Sequence, residues 1–209
     1  MIELVVSIAI FGILAGILGW NFSRFRENDD LRLAAEQLMT DLRTAQNTAM
    51  TGQVIDDPGP GDPAVPIGGY GIHFNLNIGN NEYWMFADRE SYSGTTCVPV
   101  RNERFDQLVA DPPSTCMTDG VNDDLDAAPN PVQLPGDVII EALRVDGTQS
   151  ITDVAFLPPK PLPYVAYGDL TNAAVAGKTI EIDLRHTVTN QLRRVTVVGA
   201  SGQISVSTP

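Results

Sequence analysis

The chain has 209 residues, with 13 Lys and Arg against 26 Asp and Glu, and a formal net charge of −13 at pH 7. Its length suits one domain or two small ones, and its acidic balance argues against general nucleic-acid binding by the whole protein. Two lysines exclude a polybasic membrane-binding patch. Two cysteines and two widely separated histidines do not supply a four-ligand zinc site.

An unbroken apolar run occupies residues 4–20, and Ser7 is its one polar side chain before Asn21. The run is close to the length that a helix needs to cross a bilayer. Arg24 and Arg26 follow it, which by the positive-inside rule would place the remainder of the chain in the cytoplasm. Glu3 precedes the run where a secretory leader carries positive charge, and a carboxylate at that position is costly in lipid unless it is paired.

Three glycines, Gly12, Gly16 and Gly19, lie inside this apolar run. Each lowers the stability of a helix interior by about 1 kcal/mol relative to alanine. Their spacing favours either close packing between helices through small residues or a local loss of helix during assembly.

A second, amphipathic segment begins at Asp29. Apolar residues recur at steps of three and four, which predicts one buried helix face, and Gly52 is the predicted stop. The stripe comprises Leu31, Ala34, Ala35, Leu38, Met39, Leu42, Ala45 and Ala49. We therefore predict a long N-terminal helix, with residues 1–28 forming a transmembrane or filament-core half, residues 29–53 an amphipathic half, and residues 54–209 a β-rich globular domain.

The remainder alternates between strand-like runs and turns rich in Pro, Gly and Asn. Alternation of apolar and polar residues predicts a hairpin over residues 70–87 and another over residues 179–198, with further strands at 138–145, 151–157 and 203–206. The predicted fold class is α+β, a long N-terminal helix packed on one face of an antiparallel β-sheet whose other face is wet.

The N-terminus, MIEL followed by VVSIAIFGILAGI, resembles the mature N-terminus of the type IV pilin family. The helix segment LAAEQLMTDLRTAQNTAMTGQ and the order of the strands are similar to the GspH/FimT-like branch of that family. The family's glutamate is its fifth mature residue, which Glu3 matches if two residues precede Met1. The resemblance implies a pilin-like fold, processing by a prepilin peptidase, and pairing of Glu3 with the N-terminal amine of a neighbouring subunit. It assigns filament assembly to Glu3, Gly12, Gly16 and Gly19.

The function that the resemblance implies is that of a structural subunit of a type IV pilus filament. Such a subunit is a homo-oligomer in a helical polymer, held in the inner membrane by its assembly machinery before it joins a filament on the cell surface. The globular part then lies outside the cell, which overrides the reading from Arg24 and Arg26. The alternative is a minor pseudopilin of a type II secretion or DNA-uptake system, and a third reading is a binding protein whose helix stays in the membrane.

Nothing in the sequence indicates an enzyme. No nucleophile elbow, phosphate-binding loop or dinucleotide fingerprint occurs. His73 and His186 lie in strand-like alternations, where a structural role is the common one.

Two sites are predicted in the irregular region of the domain. Cys97 and Cys116 form a disulfide if the domain is exported. Asp119, Asp123 and Asp126 lie in the run DGVNDDLD, whose oxygen ligands suit Ca²⁺; the alternative is a solvated acidic loop. No other cofactor is predicted.

Four bases gather near the C-terminal end of the sequence: Lys178, Arg185, Arg193 and Arg194. Some FimT-like pilins bind DNA through a basic C-terminal region, and alternation along strands would place several of these bases on one face. The alternative is a mixed solvent face with salt bridges, which the net charge and the neighbouring Glu181 and Asp183 favour.

Overall fold

The computed structural model of the chain describes residues 2–53, 69–74, 81–88, 91–93, 98–100, 131–147, 151–159, 162–167, 172–174 and 177–209. Within these ranges, no side chain is described for residues 17–27, 88, 91–93, 98–100, 166–167 and 172–174. Helix α1 spans Ile2–Thr51. It ends at Gly52, whose φ of 59° is the left-handed conformation that glycine adopts at little cost.

Twelve strands follow the helix in the described ranges. In chain order they are β1 (Gly69–Phe74), β2 (Glu82–Asp88), β3 (Ser91–Ser93), β4 (Val98–Val100), β5 (Val132–Gln133), β6 (Val138–Val145), β7 (Ile151–Phe156), β8 (Pro163–Tyr167), β9 (Asn172–Ala174), β10 (Thr179–His186), β11 (Leu192–Val198) and β12 (Gln203–Ser207).

These strands form two main sheets and a small ribbon. The six-stranded sheet has the order β5-β2-β1-β7-β8-β9, the four-stranded sheet has the order β12-β11-β10-β6, and β3 pairs with β4. Every pairing is antiparallel. The predicted hairpins correspond to β1–β2 and β10–β11, whose strands are neighbours in their sheets.

The predicted fold class, a long pilin-like helix on one antiparallel sheet, is wrong. The strands divide between two main sheets, and the chain passes between these sheets from β5 to β6, from β6 to β7 and from β9 to β10. Asp146 and Gly147 directly follow β6, with φ values of 50° and 75°. The physical reason is that alternation along a strand defines which face is buried but not which strand lies beside it.

The core lies where the second part of α1 meets both sheets. The helix contacts β1 and β7 of the six-stranded sheet and β6, β10, β11 and β12 of the four-stranded sheet. Its buried stripe comprises Leu31, Ala34, Ala35, Leu38, Leu42, Ala45 and Ala49, none of them more than 3% exposed. Because four of these side chains are alanines, the helix backbone can approach both sheets closely.

Within the six-stranded sheet, β1 depends on a glycine. A Cβ atom at Gly71 would lie 2.6 Å from the carbonyl oxygen of Val154 and 2.6 Å from the ring of Phe86. The Phe86 ring therefore occupies the space over Gly71, on the face of the sheet opposite the helix.

Hydrogen bonds between residues 41–46 of α1 and both sheets define the position of the helix along its axis. The Tyr83 hydroxyl of β2 donates a hydrogen bond to Asp41 Oδ2 at 2.5 Å. On the other side, Arg43 Nη2 donates to the backbone oxygen of Ile204 at 3.0 Å, and Gln46 Nε2 donates to that of Gly202 at 2.8 Å. Burial raises the pKa of the Asp41 carboxyl, and the Tyr83 hydrogen bond partly opposes that rise.

Two leucines of α1 provide a matched test of the core. Leu38 is fully buried and Leu33 is 56% exposed. We expect Leu38→Ala to lower the free energy of unfolding by about 3 kcal/mol, because it removes buried carbons and leaves a cavity. Leu33→Ala should lower it by less than about 0.5 kcal/mol. Urea unfolding followed by circular dichroism measures both values, and equal losses would contradict this account of the core.

The Tyr83–Asp41 contact predicts that the folded chain loses stability at alkaline pH. Burial, and then the hydrogen bond to Asp41, raise the pKa of the Tyr83 phenol far above its ordinary value. The folded chain holds the neutral phenol, so this contribution is complete below about pH 10, the pKa of an unfolded tyrosine, and is lost progressively above it. We expect the melting temperature of the wild type to fall more steeply above pH 10 than that of Tyr83→Phe. If the melting temperatures of the wild type and of Tyr83→Phe fall equally with pH, ionisation of Tyr83 is not the cause of the loss.

Candidate functional site

The first part of α1 is an exposed apolar surface. Every residue from 2 to 16 is exposed, and nine large apolar side chains in this range are between 51% and 79% exposed: Ile2, Leu4, Val5, Val6, Ile8, Ile10, Phe11, Ile13 and Leu14. We call residues 2–16 the apolar arm. Large contiguous apolar surfaces of this kind mark sites of interaction in folded proteins.

The apolar arm carries two polar side chains. The Ser7 hydroxyl donates a hydrogen bond to the backbone oxygen of Glu3 at 2.8 Å, so it needs no partner from outside the helix. The Glu3 carboxylate lies in the first turn, where the helix dipole favours an acid. It has no ion pair with any residue in the described ranges. Glu3 is thus the one group of the arm that requires a partner if water is removed.

The glycines of the arm do not pack against any other element in the described part of the chain. A Cβ atom built at Gly12 or at Gly16 meets no heavy atom within 4 Å. Gly19 lies in α1 among the residues whose side chains are not described. Two of the three predicted assembly glycines therefore lie in the same exposed segment as Glu3, on the opposite side of the helix.

No helix in the described part of the chain is both long enough and apolar enough to cross a membrane.

The four predicted DNA-binding bases do not share one surface. Arg194 and Arg185 lie on the outer face of the four-stranded sheet, whereas Arg193 is opposite the buried Leu184 on the inner face. Lys178 is exposed just before β10 begins. Adjacent residues of a strand point to opposite faces, which separates Arg193 from Arg194.

Arg194 is held by acids on the neighbouring strand. Its Nε donates to Asp183 Oδ1 at 2.6 Å and its Nη2 to Asp183 Oδ2 at 3.0 Å, while Nη1 lies 3.1 Å from Glu181 Oε1. Arg144 of β6 contacts Asp183 from the other side. The hydrogen bonds that Arg194 donates to Asp183 raise the pKa of Arg194, and the nearby charges of both acids add to that rise, which burial partly opposes. This cluster of two bases and two acids has no net charge.

Arg185 is also paired, since its Nε contacts Glu141 and its Nη1 donates to Asn190 Oδ1 at 3.2 Å. Two of the four bases are therefore neutralised by acids on β10 and β6. The sequence places Glu181 and Asp183 among the bases, but only the pairing of β6 with β10 brings Arg144 and Glu141 to them.

The predicted disulfide and calcium residues lie outside the described residues. These are Cys97, Cys116, Asp119, Asp123 and Asp126. Within the described ranges, no group of three or more His, Cys, Asp or Glu side chains is placed to hold a metal ion.

Sequence reasoning missed a histidine–aspartate pair on the six-stranded sheet. His73 of β1 and Asp153 of β7 are cross-strand partners, with 2.7 Å between Nδ1 and Oδ1. Asp153 is 1% exposed, and its other oxygen accepts a hydrogen bond from the Thr152 hydroxyl at 2.6 Å. The Trp84 ring lies 5.8 Å from the His73 ring, centroid to centroid. No local pattern joins residues 73 and 153, because only the pairing of β1 with β7 brings them together.

The charge cluster around Asp183 predicts that replacing Asp183 lowers the free energy of unfolding much more than replacing Glu141. Asp183 has a side chain that is 5% exposed and lies between two arginines, whereas Glu141 is 42% exposed. We expect Asp183→Ala to lower the free energy of unfolding by about 2 kcal/mol, because two half-buried guanidinium groups lose their acceptor. Glu141→Ala should cost less than about 1 kcal/mol. Chemical denaturation measures the difference, and a loss for Glu141→Ala as large as that for Asp183→Ala would count against the cluster.

Comparisons with protein-family models, with curated proteins and with solved structures each found no match to this chain.

Proposed function

We propose that the chain is a structural subunit of a type IV pilus filament, assembled through the apolar arm. The observation that carries this proposal is the division of one helix into two parts with opposite surroundings. A stripe of seven side chains between Leu31 and Ala49 is buried against two sheets, whereas every residue from 2 to 16 is exposed. The first part therefore presents its apolar surface to a partner while the second part attaches that surface to a folded domain.

The free energy available from covering the arm is of the same order as the cost of association. Nine large apolar side chains are on average more than half exposed, and burying them contributes about 10 kcal/mol at roughly 2 kcal/mol for each fully buried side chain. Association of two proteins costs about 4–15 kcal/mol of translational and rotational freedom. Because a helix in a bundle meets several neighbours, this contribution is divided among several contacts and is complete only when all of them have formed.

Glu3 supplies specificity to this association. A carboxylate that enters an apolar helix bundle is strongly unfavourable unless a cation accompanies it. Glu3 lacks an ion pair with any described residue of its own chain, and the resemblance to pilins implies that the N-terminal amine of a second copy supplies the cation. Such a pair allows only one axial offset between neighbouring helices, since every other offset leaves a charge unpaired.

The glycines of the arm support the same packing. Gly12 and Gly16 face open space in the isolated chain, and small residues four apart allow two helix backbones to approach closely. Each glycine costs about 1 kcal/mol of helix stability. Close contact with a neighbouring helix is a gain that would offset this cost.

Removal of the Glu3 charge tests the proposal. We expect Glu3→Ala to reduce filament yield at least tenfold in the producing cells, because the charge that sets the axial offset is lost. Glu36→Ala is the matched control: Glu36 lies in the same helix, 48% exposed, in a surface pair with Arg32, and surface pairs of this kind contribute little. Electron microscopy and shear fractionation measure the yield.

The melting temperature of the detergent-solubilised chain shows that each variant folds. Wild-type filament yield from Glu3→Ala would overturn the proposal. Cross-links between the arms of different copies without extended filaments would instead favour a short pseudopilus. An arm that cross-links only to lipid would favour a binding protein held singly in a membrane.

A further inference from the structure

The chain contains two histidines, and the Nδ1 atoms of their rings have opposite roles. His73 Nδ1 lies 2.7 Å from Asp153 Oδ1. Because an ionised carboxylate only accepts hydrogen bonds, the proton of the His73 ring is on Nδ1, which donates to Asp153. In contrast, the backbone amides of Val188 and Thr189 both donate to His186 Nδ1, at 3.3 and 3.4 Å. His186 Nδ1 is therefore unprotonated, and the ring proton of this neutral imidazole is on Nε2.

The two amides that face His186 belong to the connection between β10 and β11. Residues 187–191 form this connection, and we call them the β10–β11 turn. The amide of Asn190 donates to the His186 oxygen at 2.9 Å, and the amide of His186 donates to the Gln191 oxygen at 3.0 Å. Asn190 has a φ of 56°, a conformation that asparagine tolerates better than most residues. Both the ring and the backbone of His186 thus hold the turn in one conformation.

Protonation of His186 is incompatible with this arrangement. A neutral imidazole takes up its second proton on the unprotonated nitrogen, which in His186 is Nδ1. The lone pair that accepts from Val188 and Thr189 is then lost, and the new N–H points at two other N–H groups. His186 is 2% exposed, so the ring would also become a buried cation, which is unfavourable without a partner.

No carboxylate in the described part of the chain pairs with His186. Ionisable groups come to this end of the domain from four segments: Asp30 of α1, Asp137 before β6, Arg185 of β10 and Arg193 of β11. None of the ion pairs among the described residues includes His186. A protonated His186 in the closed turn therefore loses two hydrogen bonds and gains no opposite charge.

We infer that His186 is a pH-sensitive switch of the β10–β11 turn, which the neutral ring closes and the protonated ring opens. Histidine changes charge between about pH 5 and pH 8, so the turn is closed at neutral pH and opens as the pH falls. His73 provides the contrast within the same chain, because its second proton enters at Nε2 and leaves the bond to Asp153 in place. The switch belongs to a single chain and does not depend on filament assembly.

Nitrogen NMR of the ¹⁵N-labelled full chain in detergent tests the assignment of the ring protons. At about pH 7.5, where histidine is mostly neutral, we expect the ring proton of His186 on Nε2 and that of His73 on Nδ1. A proton on His186 Nδ1 at this pH would overturn the inference, since two amides could not then donate to it.

Amide hydrogen exchange tests the opening. Between about pH 7.5 and about pH 5, we expect the exchange of Val188 and Thr189, relative to an unstructured reference at each pH, to rise at least fivefold. The turn between β11 and β12 is the matched control, because the amides of Ser201 and Gly202 donate to the backbone oxygen of Val198, which does not titrate. Their relative exchange should change by less than twofold.

The variant His186→Asn separates the switch from general acid sensitivity. Its amide oxygen can accept a hydrogen bond close to the position of Nδ1 but does not titrate, so exchange in the β10–β11 turn should become independent of pH. Three results would overturn the inference: a wild-type turn that stays closed to about pH 5, an equal rise at Ser201 and Gly202, or a rise in His186→Asn as large as in the wild type. If His186→Asn does not fold, the two wild-type measurements decide the question.

Discussion

Burial of one helix face between two sheets holds the described part of the domain together. The stripe from Leu31 to Ala49 contacts strands of both sheets, so neither sheet covers its inner face without the helix. Alanines at four of the seven stripe positions allow this close approach, and the leucines fill the space between the sheets. Asp41, Arg43 and Gln46 then add hydrogen bonds that define the height of the helix within the domain. A helix held on two sides in this way cannot rotate or slide without breaking the core.

The attachment of α1 to the domain determines how the exposed part of the helix is presented. Residues 2–16 continue the same helix, and their direction is therefore determined by the domain. Apolar side chains that remain in water are unfavourable in proportion to their area, and a rigid support presents them in one orientation. The two parts of α1 thus have complementary roles, since one part anchors the helix and the other is available to a partner. The Glu3 carboxylate distinguishes this surface from a purely apolar one.

The charged residues of the described sheets contribute to structure more than to recognition. Arg194 and Arg144 surround Asp183, and Arg185 contacts Glu141. These bases satisfy acids on neighbouring strands, which leaves no concentration of positive charge on the outer face of the four-stranded sheet. The buried Asp153 is satisfied in the same way, by His73 and Thr152.

Features that depend on neighbouring residues could be predicted from the sequence. The stripe at steps of three and four, the two hairpins and the exposed apolar run can each be recognised within a short window, because helix and strand periods are local. Only the tertiary structure decided which strands share a sheet, that Arg144 reaches Asp183, and that His73 meets Asp153. These contacts join residues 39 and 80 positions apart. Alternation along a strand defines which of its faces is buried. Which strands pair with it depends on the packing of the whole core around the helix.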